Sequence, residues 1–300
     1  MILTKTPFRI SFAGGGSDHF NLKSQVPGRI ICTTINKYIY VAVNIKHDDK
    51  VRLSYSLTEN VDNAKQLDHL IIRNTLEYFK INKGIEIVTI ADIPSAGSGL
   101  GSSSALTVGL SRALNKLKKK IINKKKLARE ASIIEIKKCN KPIGMQDHYA
   151  AAYGGLNCIL FKNNKTVSVR RIKISNSRLQ YFRQHLMMFY SGINRKADKI
   201  LGKIRKEKKG NLNYEKLSEL AKNFEYELVA GDLNNLGHIL HENWMLKKNL
   251  HKTVSPLNLN EIYENAISAG AIGGKLLGAG GGGYFLFFVD KTSTKKNEST

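Results

Sequence analysis

Cysteine is scarce: Cys32, Cys139 and Cys158 are widely spaced and form no C-x-x-C pair. That spacing argues against a structural zinc site or a disulfide framework and fits a reducing cytosol. Long apolar runs are missing too, since none approaches the roughly 20 residues that a membrane-spanning helix needs. The start, Met1-Ile2-Leu3-Thr4-Lys5, lacks the charged-then-apolar layout of a secretory signal. A cytoplasmic protein with no membrane partner is expected. Acidic residues are the third shortage, with 24 Asp and Glu against 48 Lys and Arg and a formal net charge of +24. A field of that sign favours anionic partners such as phosphorylated metabolites, nucleotides or nucleic acid. Much of the excess lies in runs such as Lys118-Lys119-Lys120 and Lys124-Lys125-Lys126, for which solvated surface is the plainer reading. No recognition motif or aromatic interleaving accompanies these runs, so nucleic acid is not an expected partner. Two phosphate-binding signatures are also absent: there is no G-x-x-x-x-G-K-[ST] loop, and no G-x-G-x-x-G fingerprint in a suitable order of elements.

What is present is a chain of 300 residues, enough for about two domains. The first third reads as strands and turns. Arg9 to Ala13 is a short extended stretch, and Ile30 to Ile45 is rich in β-branched and aromatic residues with a turn expected at Asn36-Lys37. Helical spacing recurs over Leu67–Phe79, after Leu106, over Lys126–Lys138 and over Met145–Tyr153. Strands are expected at Val51–Tyr55, Ile85–Ile90, Leu156–Phe161 and Val167–Ile174, and a linker between domains at Lys173–Arg178. Beyond it come a strand at Leu186–Tyr190 and helices near Lys196–Lys206, Tyr214–Ala230, Leu233–Leu246 and Asn258–Ser268. An apolar strand at Tyr284–Val289 and a polar tail from Lys291 follow. The mixture predicts an α+β protein with domains at 1–175 and 176–300.

The segment from Pro94 to Ala105 carries chemistry. It reads Pro94-Ser95-Ala96-Gly97-Ser98-Gly99-Leu100-Gly101-Ser102-Ser103-Ser104-Ala105 and runs directly into an amphipathic helix. Glycines let backbone N–H groups approach an anion, and a helix start favours phosphate through its free N–H groups and dipole. The serines add hydroxyl donors, one of which can serve as an oxygen ligand for Mg²⁺.

This loop resembles the nucleotide-binding motif of the GHMP kinases, the family of galactokinase and of homoserine, mevalonate and phosphomevalonate kinases. Two further motifs agree in order. Thr6-Pro7-Phe8-Arg9-Ile10-Ser11-Phe12-Ala13-Gly14-Gly15-Gly16-Ser17-Asp18 resembles the substrate-side motif of that family, and Gly274-Lys275-Leu276-Leu277-Gly278-Ala279-Gly280-Gly281-Gly282-Gly283-Tyr284 resembles its third, glycine-rich motif. Within the family, Gly144-Met145-Gln146-Asp147-His148-Tyr149 and Met188-Phe189-Tyr190-Ser191-Gly192-Ile193-Asn194-Arg195 are similar to bacterial sugar 1-kinases acting on D-glycero-D-manno-heptose 7-phosphate.

The resemblance implies an N-terminal domain like ribosomal protein S5 domain 2, a ferredoxin-like C-terminal domain, and a site between them for ATP, Mg²⁺ and a phosphosugar. Pro94, Gly97, Gly99, Leu100, Gly101, Ser102, Ser103 and Ser104 are the implied nucleotide residues. Asp147 matches the catalytic aspartate of galactokinase-like members, and phosphoryl transfer to a hydroxyl often uses such a carboxylate. Its neighbour His148 departs from the glutamine common there. Arg9 matches the family's N-terminal arginine, a fixed charge that would favour an ionised neighbour and stabilise the transferring group. Glu135 matches the metal-binding glutamate, with Ser103 or Ser104 as its companion ligand and Glu130 as the competing choice. Asp18, with Ser17 and Gly16, matches the wall that holds sugar hydroxyls. Gly280 and Gly281 bring backbone toward substrate or phosphates, and Lys275 and Arg195 are candidates for the distal phosphate of the sugar. The implied reaction is phosphorylation of the anomeric hydroxyl of heptose 7-phosphate. A 1-kinase for an unphosphorylated fucose- or galactose-like sugar and a non-catalytic relative that binds nucleotide or sugar are the alternatives. A homodimer is left open.

Overall fold

The β-branched stretch forms one unbroken strand of 18 residues, β2 (Gly28–Ile45). The turn expected at Asn36-Lys37 is absent. Neither residue takes a positive φ, and without glycine or proline nothing there interrupts the extended backbone. The computed structural model of the chain describes residues 1–18, 26–93, 97–164, 166–194, 200–202, 211–251 and 253–290. Packing divides the chain into two units that are discontinuous in sequence. The first holds Met1–Arg9, Thr34–Ser95 and Gly101–Gly154, and the second Ile10–Thr33, Ala96–Leu100 and Gly155–Thr300.

In the first unit, the Ile39–Ile45 part of β2 runs antiparallel to β5 (Ile85–Ala91). Next to β5 lies the parallel strand β3 (Val51–Ser54), itself antiparallel to β4 (Thr58–Val61). Strand β1 (Ile2–Ala13) is longer than the short stretch expected from Arg9 onward and pairs with β2. Pro7 lies inside β1, which has one neighbour among the described strands; an edge strand tolerates a residue that cannot donate to a ladder. The helices are α1 (Leu70–Tyr78), α2 (Ser102–Leu117), α3 (Lys124–Ile133) and α4 (Gln146–Tyr153). A π-helical turn, Ile134–Lys138, continues α3. Leu106, Leu110, Ala113 and Leu114 of α2 are buried, as their spacing predicts. Burying each leucine stabilises by about 1.5–3 kcal/mol. The fit against β1 is close: Thr4 Oγ1 donates to the Gly109 carbonyl at 3.1 Å, and a Cβ on Gly109 would stand 2.7 Å from Thr6 Oγ1.

In the second unit, the Gly28–Cys32 part of β2 pairs antiparallel with β6 (Asn157–Phe161), and β6 with β7 (Val167–Arg171). A separate antiparallel sheet has the order β8 (Leu186–Tyr190), β10 (Tyr284–Val289), β9 (Ala271–Leu276). Helices α5 (Asn176–Gln184), α6 (Asn211–Val229), α7 (Asn235–Lys248) and α8 (Leu257–Ser268) complete it. Trp244, Leu259, Tyr263, Leu276, Phe285 and Phe287 form its core. Helix α5 begins inside the stretch expected to be a linker. Ser175 caps it by accepting the Arg178 N–H at 3.3 Å, and Phe182 is buried against Phe12 with ring centroids 5.2 Å apart. Strand β9 had no sequence signal because Gly273 and Gly274 weaken a strand pattern. Both are required by close approach: a Cβ on Gly273 would lie 2.1 Å from the Gly237 carbonyl.

The helix expected at Lys196–Lys206 falls largely outside the described residues, as does the tail from Lys291. Lys118–Lys120 and Lys124–Lys126 are exposed, as solvated runs should be. Among the described residues no helix is long and apolar enough to cross a membrane.

Candidate active site

Gly101 opens α2 with a left-handed backbone, φ 76°, and no side chain caps the helix. The first turn of any helix has N–H groups without intrahelical acceptors, so an uncapped start suits an anion. Three serines follow at once: Ser102 and Ser103 are half-buried, and Ser104 is buried. Pro94 lies outside the described residues.

Ser104 points its hydroxyl at Glu135, donating to Oε2 at 3.0 Å. Glu135 is fully buried on the π-helical turn. Three more groups reach it: Thr107 Oγ1 donates to Oε2 at 3.4 Å, His148 Nε2 lies 2.8 Å from Oε2, and Lys141 Nζ donates to Oε1 at 3.1 Å. Burial alone would raise the Glu135 carboxyl. The hydrogen bond and charge of His148, the charge of Lys141 and the Ser103 hydroxyl overcome burial and hold it down at about 2. Glu135 is therefore a carboxylate with hydroxyls beside it, a hard-oxygen set of the type magnesium takes. Among the described residues no group of three or more His, Cys, Asp or Glu could hold a metal. An ion bound at Glu135 and Ser104 would thus draw its other ligands from nucleotide and water. Glu130, the competing carboxylate, sits elsewhere: its Oε1 accepts from Asn115 Nδ2 at 2.6 Å, toward the far end of α2.

Asp147 lies in the first turn of α4, where a carboxylate complements the helix dipole. Arg9 grips both of its oxygens, Nε donating to Oδ1 at 2.7 Å and Nη2 to Oδ2 at 2.6 Å. The pair is charge-assisted and bidentate, the geometry that fixes a carboxylate in direction as well as place. The Arg9 side chain is 5% exposed and that of Asp147 23%, so the carboxylate keeps access to solvent while its partner does not. Gly101 leaves the room Arg9 needs, since a Cβ there would stand 3.1 Å from Arg9 Nε.

The second unit brings the other two motifs together. A Cβ on Gly99 would meet the Leu277 carbonyl at 2.5 Å, and one on Gly283 the Ser98 carbonyl at 2.5 Å. Between them Tyr284 N–H donates to Ser98 O at 3.1 Å. The glycines thus let Gly97–Leu100 lie directly on the Leu277–Tyr284 loop. Gly280 and Gly281 close against Val254, Gly281 N–H donating to its carbonyl at 2.7 Å. In the N-terminal motif Gly14 N–H donates to Asn243 Oδ1 at 3.1 Å, and Ser17 Oγ donates to Gly14 O at 2.7 Å. Gly16 has φ 107°, and Asp18 is buried. Lys275 is 2% exposed, and its ammonium donates to the Phe12 carbonyl at 2.8 Å. One of its three donors is therefore committed to ordering the strand that leads into Gly14–Asp18. Arg195 lies outside the described residues.

A family model described as the GHMP kinases N terminal domain matches residues 66–155, and one described as GHMP kinases C terminal matches 224–298. The chain belongs to the GHMP kinase family. As a GHMP kinase it is an ATP-dependent phosphotransferase with an alcohol group as acceptor. It is 33% identical to a D-glycero-alpha-D-manno-heptose 7-phosphate kinase of Campylobacter jejuni over 97% of this chain and 90% of that one. It is 26% identical to a galactokinase of Pyrococcus furiosus over 98% and 90%. In structure it is similar to a D-glycero-D-manno-heptose 1-phosphate kinase from Bacteroides thetaiotaomicron, with TM-score 0.78 and 24% identity over 99% of this chain and 90% of that one.

Sequence reasoning on this GHMP kinase missed Lys141, Thr107 and the hydrogen bond of His148 to Glu135. Lys141 is one of many lysines, and nothing in its spacing singles it out. Asn243 was missed as well, since its contact with Gly14 spans 229 residues.

Proposed function

We propose that this GHMP kinase transfers the γ-phosphoryl group of ATP to the anomeric hydroxyl of D-glycero-D-manno-heptose 7-phosphate. The product is the 1,7-bisphosphate, a precursor of nucleotide-activated heptose for surface polysaccharide. Likeness to the Campylobacter jejuni heptose 7-phosphate kinase over 97% of the chain carries the choice of sugar. The Arg9–Asp147 pair supports the chemistry. Asp147 accepts the proton of the attacking hydroxyl, held in direction by Arg9 through both oxygens. The positive charge of Arg9 also favours the negative charge that develops on the transferring group. Backbone N–H groups at the start of α2 and in Gly97–Gly101 bind the nucleotide phosphates. Glu135 and Ser104 would hold magnesium, which would supply positive charge to offset that of the nucleotide phosphates.

Asp18, Ser17 and Gly16 are assigned to the sugar hydroxyls, with backbone of Gly280 and Gly281. Arg195 and Lys275 are assigned to the distal phosphate. In this reading the protein works in the cytoplasm, and the chain divides near 175 into N- and C-terminal kinase domains. A homodimer is checked by light scattering.

The deciding experiment measures ATP consumption with heptose 7-phosphate against a panel of sugars and sugar phosphates. The proposal expects the highest kcat/KM on the phosphosugar and near-complete loss in Asp147→Asn. Arg195→Ala and Lys275→Ala are expected to raise KM for the phosphosugar more than for a neutral sugar. Higher kcat/KM on an unphosphorylated sugar would replace the reading with a sugar 1-kinase, for which the likeness to the galactokinase speaks. No turnover over the whole panel would leave a non-catalytic relative.

A further inference from the structure

Within the second unit, helix α7 is pressed closely onto β9. A Cβ on Gly237 would stand 2.6 Å from Ile272 Cγ2, and one on Gly273 2.1 Å from the Gly237 carbonyl. Farther along the helix Leu240 and Trp244 are fully buried, Trp244 in the core of the unit. A helix seated in this way is a rigid platform for the side chains it presents. Two polar ones, Asn243 and Lys247, stand one turn apart on the same face. Asn243 Oδ1 accepts the Gly14 N–H at 3.1 Å. Lys247 Nζ donates to the Gly278 carbonyl. Both residues are buried. One turn of helix thus holds a residue of the substrate-side motif and a residue of the third, glycine-rich motif.

Gly14 needs such a hold. Its backbone is left-handed, φ 84°, and a Cβ there would lie 1.8 Å from the Arg29 carbonyl, so no side chain can anchor the position. Its backbone polar groups do so instead. The carbonyl accepts from the Ser17 N–H at 3.0 Å and from Ser17 Oγ at 2.7 Å, which closes the turn that ends in the buried Asp18. Ser17 Oγ also donates to the Arg29 carbonyl and accepts the Arg29 N–H, each at 3.1 Å, and so ties the far end of the turn to β2. Asn243 is the tie at the near end. Its Nδ2 is buried and makes no hydrogen bond, so the amide oxygen alone carries the contact.

We propose that Asn243 is a positioning residue for the acceptor substrate. Its amide oxygen sets where the Gly14–Asp18 turn begins, and thereby where Asp18 stands. This inference rests on the reading of Gly16–Asp18 as the wall for the sugar hydroxyls, and its test separates the two claims.

The test measures kcat and both KM values, with the best acceptor of the sugar panel, on wild type, Asn243→Leu, Asn243→Asp and Asp18→Asn. Asn243→Leu is expected to raise the acceptor KM about tenfold and to leave the ATP KM within about twofold of wild type. Asn243→Asp keeps an oxygen in the same place and is expected to stay within about threefold of the wild-type acceptor KM. Hydrogen exchange at the Gly14 amide, read by NMR, should quicken in Asn243→Leu and not in Asn243→Asp. A merely structural role would lower kcat or the folded fraction with both KM values unchanged, and that result overturns the proposal. An equal rise in Asn243→Asp and Asn243→Leu overturns the role of the oxygen. An acceptor KM that rises in Asp18→Asn but not in Asn243→Leu overturns the proposal and leaves the reading of the turn intact. An unchanged acceptor KM in both removes the turn from the acceptor site, and the inference with it, as does no turnover with any acceptor. Should Asn243→Leu not fold, Asn243→Ser, whose oxygen falls short of Gly14, takes its place under the same outcomes.

Discussion

Two carboxylates twelve positions apart, Glu135 and Asp147, sit in the same unit in opposite circumstances. Glu135 is sealed on a π-helical turn and satisfied by neighbouring hydroxyls and two basic side chains. Asp147 begins a helix, keeps part of its side chain exposed and is held by one bidentate arginine. A group that holds a cation gains from enclosure, because low dielectric strengthens the attraction. A group that must meet a substrate hydroxyl needs an open face and a fixed direction. Adjacent residues serve both: His148 turns inward to Glu135 while Asp147 turns to Arg9, as neighbours on a helix point about 100° apart.

The comparison breaks hardest at Asp147. Asp147→Asn keeps the shape and removes the base, so kcat should fall about 10²–10⁴-fold with the circular dichroism spectrum and melting temperature little changed. A loss below tenfold would mean that the aspartate is not the base.

Glu135→Gln should behave in the opposite way and destabilise the fold even without ligand, by about 3–5 kcal/mol at neutral pH, since it removes the buried negative charge that faces Lys141 and His148. The effect should depend on acidity. The folded carboxyl is held at about 2, below its ordinary 4.5, so its stabilisation is complete above pH 4.5 and is lost as pH falls toward 2. Urea melts of wild type and variant should converge over that window. Parallel curves would show that the enclosure does not hold the carboxylate ionised.

Gly101→Ala sharpens the Asp147 side. A left-handed backbone costs a residue with a side chain about 1–2 kcal/mol, and the new methyl would press on the Arg9 guanidinium. Chemical denaturation should register that loss, and kcat should drop as Arg9 shifts away from Asp147. The smallest effect should come from Lys125→Ala on the exposed run, within about 0.5 kcal/mol in the same melts.

Much of this was legible before any coordinates. Strands β2 and β10 could be read from β-branched and aromatic runs, and α2 from the spacing of Leu106, Leu110 and Leu114, because burial on one face imposes a local period. The order of three glycine-bearing motifs pointed to the family, and with it to Arg9, Glu135 and Asp147. Element boundaries were harder to read: β2 runs through Asn36-Lys37, and Ser175 starts a helix in a polar stretch that resembles a linker.

The sequence by itself determined the kind of protein and the residue types at its centre, since glycine spacing and amphipathic periods are local. Tertiary structure alone decided which groups meet. Arg9 reaches Asp147 across 138 residues, and Gly14 reaches Asn243 across 229. Lys141 is only six residues from Glu135, yet it finds Oε1 because the π-helical turn and the left-handed Asn140 bring the chain back on itself. A hydrogen bond depends on distance and direction in space, and those are fixed only when the chain has folded.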